Sequence, residues 1–459
     1  MATSSFSTAV GSSSAASITL CLLGLLILIS GCRVNDPEKL KTEGTLSIQA
    51  EGVSSTEAWI RIKAGSVTSP DMIVLHCNGL AILSFSLQGK DTLICEDSLT
   101  PGNRYTYQAV LSRSKLNTYS NELNLTTMDT TSHDFHFRSF IVCNRSSDLW
   151  DVAIINEDDI WAVGWMYMNL PEGKDDPQPV GAVHWDGTEW KQVKLPAVAS
   201  PTYNTFLTPT DVIAFSPNDI WFANGGVIRF DGKKVTKCYW IADFPGNVDS
   251  TILENGITKL WGTSSSNIYA AGYKGAIAHF DGKNWHKIES GTDLPIRDIW
   301  GSTDSVTGEE IVLCVASNIF TWDQSKVLQI KNDKVTEIPA DGLPPSLCSV
   351  WFKDLNKVYI AGDGDFLKNL NNGEEKWNMF SENITHYWSY AVKGNDLNDI
   401  FLAGSFGDIL HFNGKSWKAY LGNGVEYSNG NLYGMDIKGN TMCAVGTTGP
   451  VSVVVLGQR

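Results

Sequence analysis

The chain has 459 residues, of which 42% are hydrophobic and 19% are charged. This is the composition of an ordinary globular protein, and it excludes long disordered or collagen-like regions. The 50 acidic and 35 basic residues give a formal net charge of −15. Because such a surface repels phosphate backbones, no nucleic-acid partner is expected.

The N-terminal segment carries the features of an export signal. Residues 1–31 contain no charged side chain, and the apolar run from Ile18 to Ile29 has the length of a signal-peptide core. The following Ser30-Gly31-Cys32 resembles the bacterial lipobox. The resemblance implies a lipoprotein of the bacterial cell envelope, at the outer membrane or cell surface, with Cys32 as its lipid-modified first residue. A single anchoring helix from about Ala15 to Ile29 is the alternative.

The nine cysteines are scattered and include no C-x-x-C pair. Neither a disulfide framework nor a zinc site is therefore predicted. Most of these cysteines lie in apolar, strand-like runs, where a free thiol behaves as a small hydrophobic side chain. A bridge between Cys77 and Cys95 stays open as an alternative. No metal is expected.

A polar tether, residues 32–43, leads into a predicted β-sandwich, residues 44–128. Short alternating runs such as EAWIRIKA and YTYQAVL, separated by turn signals, favour this architecture. The stretch from Leu99 to Tyr105, LTPGNRY, resembles the part of a fibronectin type III domain in which a tyrosine hydroxyl pins a corner. The resemblance implies that Trp59 is the core tryptophan and that the domain is a spacer or a binding module.

Residues 133–459 repeat a single pattern. Each unit has a strand, a short polar turn, a second strand of the form [DN]-[IV]-aromatic-x-x-G, and a third strand that commonly ends in Asp-Gly or Asn-Gly, as in DVAIINEDDIWAVG and AVHWDGTEW. Seven units of four short strands predict an all-β fold with a seven-bladed β-propeller, similar to kelch-like and sialidase-box-like repeat families. An open solenoid is the alternative. At intervals of 42 to 60 residues, the aromatic or its substitute is Trp161, Trp221, Tyr269, Leu313, Tyr359, Phe401 or Cys443.

The last unit offers only three strands, and the segment HDFHFRSFIVC from His133 is expected to supply the fourth, so that no sheet edge is left open. Tryptophans that follow the Gly turns are interpreted as packing between blades, with sugar platforms as the alternative. Histidines recur in register before the same turns. They are interpreted as repeated strand residues, because equivalent positions in a ring lie far apart. These two sets are Trp190, Trp285 and Trp417, and His184, His279 and His411.

No catalytic motif is present. The sequence lacks G-x-S-x-G, H-E-x-x-H and a phosphate-binding loop, and no paired-carboxylate signature stands out. No cofactor is expected. The predicted function is therefore that of a non-catalytic, membrane-anchored protein that binds a glycan or a protein partner. The alternative is a carbohydrate-active propeller enzyme, either a glycoside hydrolase or a polysaccharide lyase.

Loop lengths predict which face of the propeller binds. If the strands of a blade are called A to D from the axis outward, the A–B and C–D turns are tight, whereas several B–C and D–A connections are long. Long loops carry function more often than tight hairpins do. In the alternative interpretation, their aromatic side chains plug the ring or pack on the sandwich. The predicted ligand contacts are Trp165, Tyr167, Tyr203, Phe244, Tyr387 and Trp388.

Overall fold

The computed structural model describes the greater part of the chain after residue 45. Every described residue belongs to one compact unit, residues 44–459. The predicted signal peptide, the tether, Cys32, Tyr203 and Phe244 lie outside the described residues. The described residues are 46–65, 72–86, 89–113, 116–143, 145–168, 174, 176–196, 206–239, 256–304, 307–319, 321, 324–421 and 430–459.

Two antiparallel sheets make up the N-terminal domain, residues 46–126. The strands are β1 (Leu46–Val53), β2 (Ala58–Ala64), β3 (Met72–Cys77), β4 (Leu80–Ser86), β5 (Asp91–Glu96), β6 (Arg104–Arg113), β7 (Leu116–Tyr119) and β8 (Leu123–Thr126). The first sheet has the order β1-β2-β5, and in the second the order is β4-β3-β6-β7, with β8 also paired to β6. Buried side chains from both sheets, including Ile60, Ile73 and Tyr107, form one apolar cluster.

Local contacts in this domain match part of the sequence analysis. The Tyr105 hydroxyl accepts a hydrogen bond from the Thr100 backbone N–H at 2.9 Å, as expected for a pinned corner. The thiols of Cys77 and Cys95 are both free. No helix of the described residues is both long and apolar enough to cross a membrane.

Seven four-stranded antiparallel sheets follow within the described residues, and each is called a blade. Blade 1 contains β10 (Ser147–Asn156), β11 (Asp159–Met166), β12 (Val180–Trp185) and β13 (Trp190–Val193). A short ribbon of β14 (Leu195–Pro196) and β15 (Phe206–Leu207) connects it to blade 2, which contains β16 (Asp211–Ser216), β17 (Asp219–Ala223), β18 (Val227–Phe230) and β19 (Val235–Tyr239). Blade 3 contains β20 (Ile257–Ser264), β21 (Asn267–Gly272), β22 (Ile277–Phe280) and β23 (Trp285–Ile288).

The remaining blades repeat this arrangement. Blade 4 contains β24 (Ile296–Thr303), β25 (Glu310–Ser317), β26 (Ser325–Lys331) and β27 (Lys334–Ile338). Blade 5 contains β28 (Leu347–Phe352), β29 (Val358–Gly362), β30 (Gly364–Lys368) and β31 (Asn378–Met379). Blade 6 contains β32 (Ser389–Asp396), β33 (Asp399–Gly404), β34 (Ile409–Phe412) and β35 (Trp417–Ala419). Blade 7 contains β36 (Gly430–Lys438), β37 (Thr441–Thr448), β38 (Val451–Gln458) and, from the start of the region, β9 (His136–Ile141).

The ring is closed by pairing the two ends of the repeat region. Strand β9 lies antiparallel to β38, with Phe140 opposite Val454, as the sequence predicts. Blade 7 also packs directly on blade 1, because Cys443 and Val152 share one buried cluster. The Asp436 carboxylate accepts a hydrogen bond from the Ile154 backbone N–H at 2.7 Å. The open solenoid is therefore wrong.

Each recurring histidine forms a hydrogen bond with an Asp or Asn side chain in the second strand of its own blade. His184 Nε2 lies 2.8 Å from the Asp159 carboxylate, and its ring stacks on Trp161 at 4.3 Å between centroids. The same arrangement joins Asn267, Tyr269 and His279 in blade 3 and Asp399, Phe401 and His411 in blade 6. This repeated contact orients the second and third strands of a blade. It explains the register of these histidines without a ligand.

The recurring tryptophans pack between blades, as predicted. Trp285 of blade 3 contacts Tyr239 of blade 2, with 5.9 Å between ring centroids. Trp417 of blade 6 stacks at 5.2 Å on Phe380, which follows the last strand of blade 5. Their repetition therefore reflects the joints of the ring.

The N-terminal domain packs against the tight-turn face of blades 5 and 6. Glu57 forms an ion pair with Lys357 beside the A–B turn of blade 5. The hydroxyl of Ser55 in the domain and the side-chain amide of Asn398, in the A–B turn of blade 6, both donate to the Asp129 carbonyl, at 3.1 and 2.8 Å. The long-loop face is thus on the opposite side of the ring, so the described aromatics of that face, Trp165, Tyr167, Tyr387 and Trp388, do not pack on the N-terminal domain.

The prediction that Trp59 is the core tryptophan of the N-terminal domain is wrong. On β2, Ala58, Ile60 and Ile62 point into the domain core, so Trp59 points away from it. It is nevertheless only 1% exposed, because it is buried together with Trp351 of blade 5. Trp59 is therefore a contact between the domain and the propeller, and not the core tryptophan of the domain.

Candidate ligand-binding face

A central channel runs through the ring. The first strand of every blade lines it, and its volume is about 740 Å³. In six blades the residue at the channel entrance is the extra residue of a β-bulge, where the pairing of the first and second strands shifts by one. A bulge redirects a side chain, and bulges are frequent beside functional sites. With Thr210 of blade 2, these residues form the entrance ring: Trp150, Thr210, Thr258, Arg297, Cys348, Tyr390 and Tyr433.

The entrance ring lies on the long-loop face, because its members stand at the beginning of the first strands, where the D–A connections arrive. Three of its aromatics and one neighbour form a continuous row, called the aromatic arc: Trp388, Tyr390, Tyr433 and Trp150. Their ring centroids are 6.1 Å apart from Trp388 to Tyr390, 5.1 Å from Tyr390 to Tyr433, and 5.2 Å from Tyr433 to Trp150. The arc thus spans the entrance from blade 6 through blade 7 to blade 1.

Cys348 and Arg297 continue the entrance ring beyond the arc. The Trp388 indole N–H donates to the Cys348 sulfur at 3.1 Å. Burial raises the pKa of the Cys348 thiol to about 11, against an opposing effect of the nearby Arg297 guanidinium. Within the described residues, no hydrogen bond or ion pair engages that guanidinium, which is half-buried in the channel lining. Arg297 is therefore a positive charge at the channel entrance that is available to an anion.

Carboxylates deeper in the channel join neighbouring blades. Asp151 accepts a hydrogen bond from the Val212 backbone N–H at 3.2 Å, and Asp211 accepts one from the Leu260 backbone N–H at 2.8 Å. Asp298 accepts one from the backbone N–H of Val350 at 3.1 Å and one from the Ser349 hydroxyl at 2.6 Å. Each of these carboxylates therefore links the first strand of its own blade to the first strand of the next blade by a hydrogen bond, which is a structural role.

The lysines of the channel wall, in contrast to Arg297, are paired. Lys259 contacts Asp211 at 2.7 Å, and Lys393 lies 3.5 Å from Asp298. Burial lowers the pKa of Lys259, but the surrounding carboxylates, Asp211 first, more than offset it and raise that pKa well above its ordinary value. Burial and the neighbouring Asp151 raise the pKa of Asp211, while Lys259 opposes the rise.

Four of the six predicted ligand contacts belong to the described residues, and they form two groups on the long-loop face. Trp165 is 46% exposed, and its ring lies 5.5 Å from that of Tyr167 at the outer end of β11. Tyr387 is 39% exposed and contacts Phe406 at 5.0 Å, next to the half-buried Trp388 of the aromatic arc. Neither Trp165 nor Tyr387 lines the channel, so these two side chains do not plug the ring.

Exposed large apolar side chains of the described propeller residues are confined to this face. Each lies in a B–C or D–A connection or at the end of a strand that leads into one. The tight turns of the opposite face present polar and charged residues instead, such as Asp158, Lys233 and Lys283. Exposed apolar area concentrated on one side is typical of an interaction surface. The exposed residues are Ile141, Trp165, Tyr273, Met379, Tyr387 and Phe406.

The described residues contain no group of three or more His, Cys, Asp or Glu side chains arranged to hold a metal ion. The carboxylates of the channel wall are occupied by backbone N–H groups and lysines. Among the described residues that line the channel, the entrance thus presents aromatic rings and one guanidinium, whereas Asp151, Asp211, Asp298 and Asp436 all accept hydrogen bonds from the neighbouring blade.

Loop lengths in the sequence singled out Trp388, beside the entrance ring, but no member of the ring itself. Trp150, Arg297, Tyr390 and Tyr433 belong to no binding motif that was recognised in the sequence. An alignment of the seven first strands places these residues in one column, directly before the Asp, Lys, Ser, Ala or Gly that lines the channel. That shared alignment position is the sequence feature from which the entrance ring could have been predicted.

Comparison with known proteins agrees with the fold. No family model matches the sequence, and no curated protein is similar to it. The WD40 β-propeller domain of Doa1 is 13% identical, with coverage of 71% of this chain and 97% of that one and a TM-score of 0.50. YCF48 from Cyanidioschyzon merolae is 16% identical over 71% of this chain and 98% of that one, with a TM-score of 0.47. YCF48 in a structure with a bound D1 peptide is 14% identical, with coverage of 72% of this chain and 100% of that one and a TM-score of 0.48. The chain is thus an all-β protein with a β-propeller fold.

Proposed function

We propose that this chain is an exported, lipid-anchored binding protein of the bacterial cell envelope, whose long-loop propeller face recognises a glycan or a protein partner. The observation that carries the binding role is that, among the described propeller residues, the exposed large apolar side chains lie only on that face, around a channel entrance with an aromatic arc. Cys32 is the proposed attachment point of the lipid. The N-terminal domain is proposed to be a fibronectin type III-like spacer.

Two features of the structure support a binding role for this face. The N-terminal domain occupies the opposite face at blades 5 and 6, so it leaves the long-loop face accessible. The channel carboxylates are satisfied by the fold itself, and this gives no support to the alternative of a glycoside hydrolase or polysaccharide lyase. Partly exposed tryptophan and tyrosine rings are the side chains that contribute most to recognition surfaces.

Replacing Trp165 and Tyr167 together by alanine is expected to abolish partner binding. The melting temperature should change little, because Trp165 is well exposed and its loss leaves no large cavity. Binding is measured on a glycan array and by crosslinking in native membranes, with product analysis of the same glycans to detect turnover. Tyr119→Ala, at a 60% exposed tyrosine of the N-terminal domain, is the matched control. A folded double variant that binds as the wild type does would contradict the proposal.

A further inference from the structure

Arg297 differs from every other cation of the channel lining. Lys259 and Lys393 are each paired with a carboxylate, whereas Arg297 has neither a hydrogen bond nor an ion pair among the residues that the structure describes. The nearest channel carboxylate in sequence, Asp298, is engaged by Ser349 and Val350. A half-buried guanidinium without an internal partner favours an external anion, and its planar fork fits a carboxylate.

The surroundings of Arg297 restrict the chemistry of that anion. The aromatic arc reaches Cys348, which lies beside Arg297, so that aromatic rings and the guanidinium form one contiguous entrance. Deeper in the channel the wall includes the apolar side chains of Ala153, Ile213 and Trp261, and its charged side chains are already paired with one another or with backbone N–H groups. A sugar that entered this region would have to compete with these internal pairs for hydrogen bonds, and a buried hydroxyl group without a partner is costly. An apolar group that carries a carboxylate satisfies both parts of the site.

We propose that the entrance ring binds the free C-terminal carboxylate of a peptide, with Arg297 as the anion contact and the aromatic arc against the last side chains. An axial channel is approached end-on, so a chain terminus enters it more readily than a closed loop does. Capture of a terminal carboxylate is an established mode of peptide recognition. This inference rests on the proposed binding role of the long-loop face, and it selects a protein partner over a glycan.

The test uses the full chain in detergent and two pools of short random peptides, one with free C-terminal carboxylates and one with C-terminal amides. Retained peptides are identified by affinity selection and mass spectrometry, and selected sequences are then titrated. Retention of the carboxylate pool alone is expected, with a preference for apolar or aromatic last residues. Loss of charge-assisted hydrogen bonds in Arg297→Gln should weaken binding by about ten- to hundredfold. Arg297→Lys should restore part of the affinity, because it keeps the charge.

A charge-matched control is Lys233→Gln, which removes one positive charge from an exposed tight turn of blade 2 on the opposite face. It should bind as the wild type does, and both variants should keep the wild-type melting temperature. Equal retention of acid and amide pools, or full affinity in Arg297→Gln, would overturn the inference. So would the retention of no peptide, or Arg297-dependent binding of uronic-acid glycans. If glycans bind in a Trp165-dependent and Arg297-independent way, the proposed function stands and this inference fails.

Discussion

Replacing Asp399 by alanine is expected to lower the free energy of unfolding by about 3 kcal/mol, because it removes one partner from a buried ionic cluster. Asp399 accepts hydrogen bonds from His411 at 2.9 Å, from Asn395 at 2.7 Å and from both terminal nitrogens of Arg459 at 3.0 and 2.7 Å. Burial raises the pKa of Asp399, but these three donors more than offset it and hold that pKa below its ordinary value.

The position of these contacts explains the size of the effect. Arg459 follows β38, and its guanidinium also donates to the Ser132 carbonyl at 3.1 Å, just before β9. Asp399 therefore connects blade 6 to both chain segments that close the ring. Without it, His411 Nε2 loses its acceptor in a buried site, while the Arg459 guanidinium keeps the Ser132 carbonyl and the Asn440 side chain as acceptors. For this reason we expect the lower end of the range for a broken buried pair.

Chemical denaturation monitored by tryptophan fluorescence measures this change. Asp186→Ala is the control, because the Asp186 carboxylate also binds a cation, Lys191, but at an exposed turn of blade 1. Exposed pairs contribute about 1 kcal/mol or less. Equal losses of stability in the two variants would show that Asp399 has no special role in closing the ring.

The second large effect is expected from Trp59→Ala at the contact between the N-terminal domain and the propeller. Truncation of a buried tryptophan typically costs about 3 to 5 kcal/mol. Trp59 is 1% exposed and buried with Trp351 and Leu397, and the Lys357 ammonium lies 5.9 Å from its ring centroid. None of these contacts belongs to the core of the N-terminal domain. The lost stability should therefore weaken the contact between the N-terminal domain and the propeller, and leave the domain core intact.

Differential scanning calorimetry separates this outcome from a general loss of stability. The variant is expected to show the N-terminal domain melting apart from, and before, the propeller. Trp165→Ala, which removes a 46% exposed tryptophan of the propeller, should leave the wild-type profile nearly unchanged. An unaltered profile for Trp59→Ala would mean that the contact does not couple the domain to the ring.

The stability of the protein is expected to fall at acid pH because of a histidine pair, His133 and His411, at the point where the ring closes. The Nδ1 atoms of His133 and His411 are 2.8 Å apart, so one ring donates and the other accepts, and both cannot be protonated. Burial and the neighbouring His411 lower the pKa of His133 to about 4, and burial lowers that of His411. Histidines in the unfolded chain take up protons near pH 6.5. Stability from this pair should thus be present above pH 6.5 and lost progressively toward pH 4.

Melting temperatures of the wild type and of His133→Gln, measured between pH 7.5 and 4, test this expectation. The glutamine amide can still donate to His411 but does not titrate. The variant should therefore lose less stability on acidification than the wild type. Identical pH profiles would contradict a role of the histidine pair.

The propeller could be predicted from the sequence because its determinants are local. Alternating apolar residues and Asp-Gly turns set the strands, and a period near one blade places Trp161 and Phe401 at equivalent, buried positions. The closing strand followed from counting, because the last unit lacked one strand and the segment after His133 supplied it. These features depend on residues that are close in the chain or repeat at a fixed interval.

The candidate site and the position of the N-terminal domain were decided only by the tertiary structure. Arg297, Tyr390, Tyr433 and Trp150 belong to four different blades and meet because ring closure brings the bulges of the first strands to one entrance. The pattern around Trp59 correctly placed a buried tryptophan on a strand, but not the partner that buries it. Periodicity specifies which residues share a face, whereas contacts between distant segments depend on how the sheets pack around the axis.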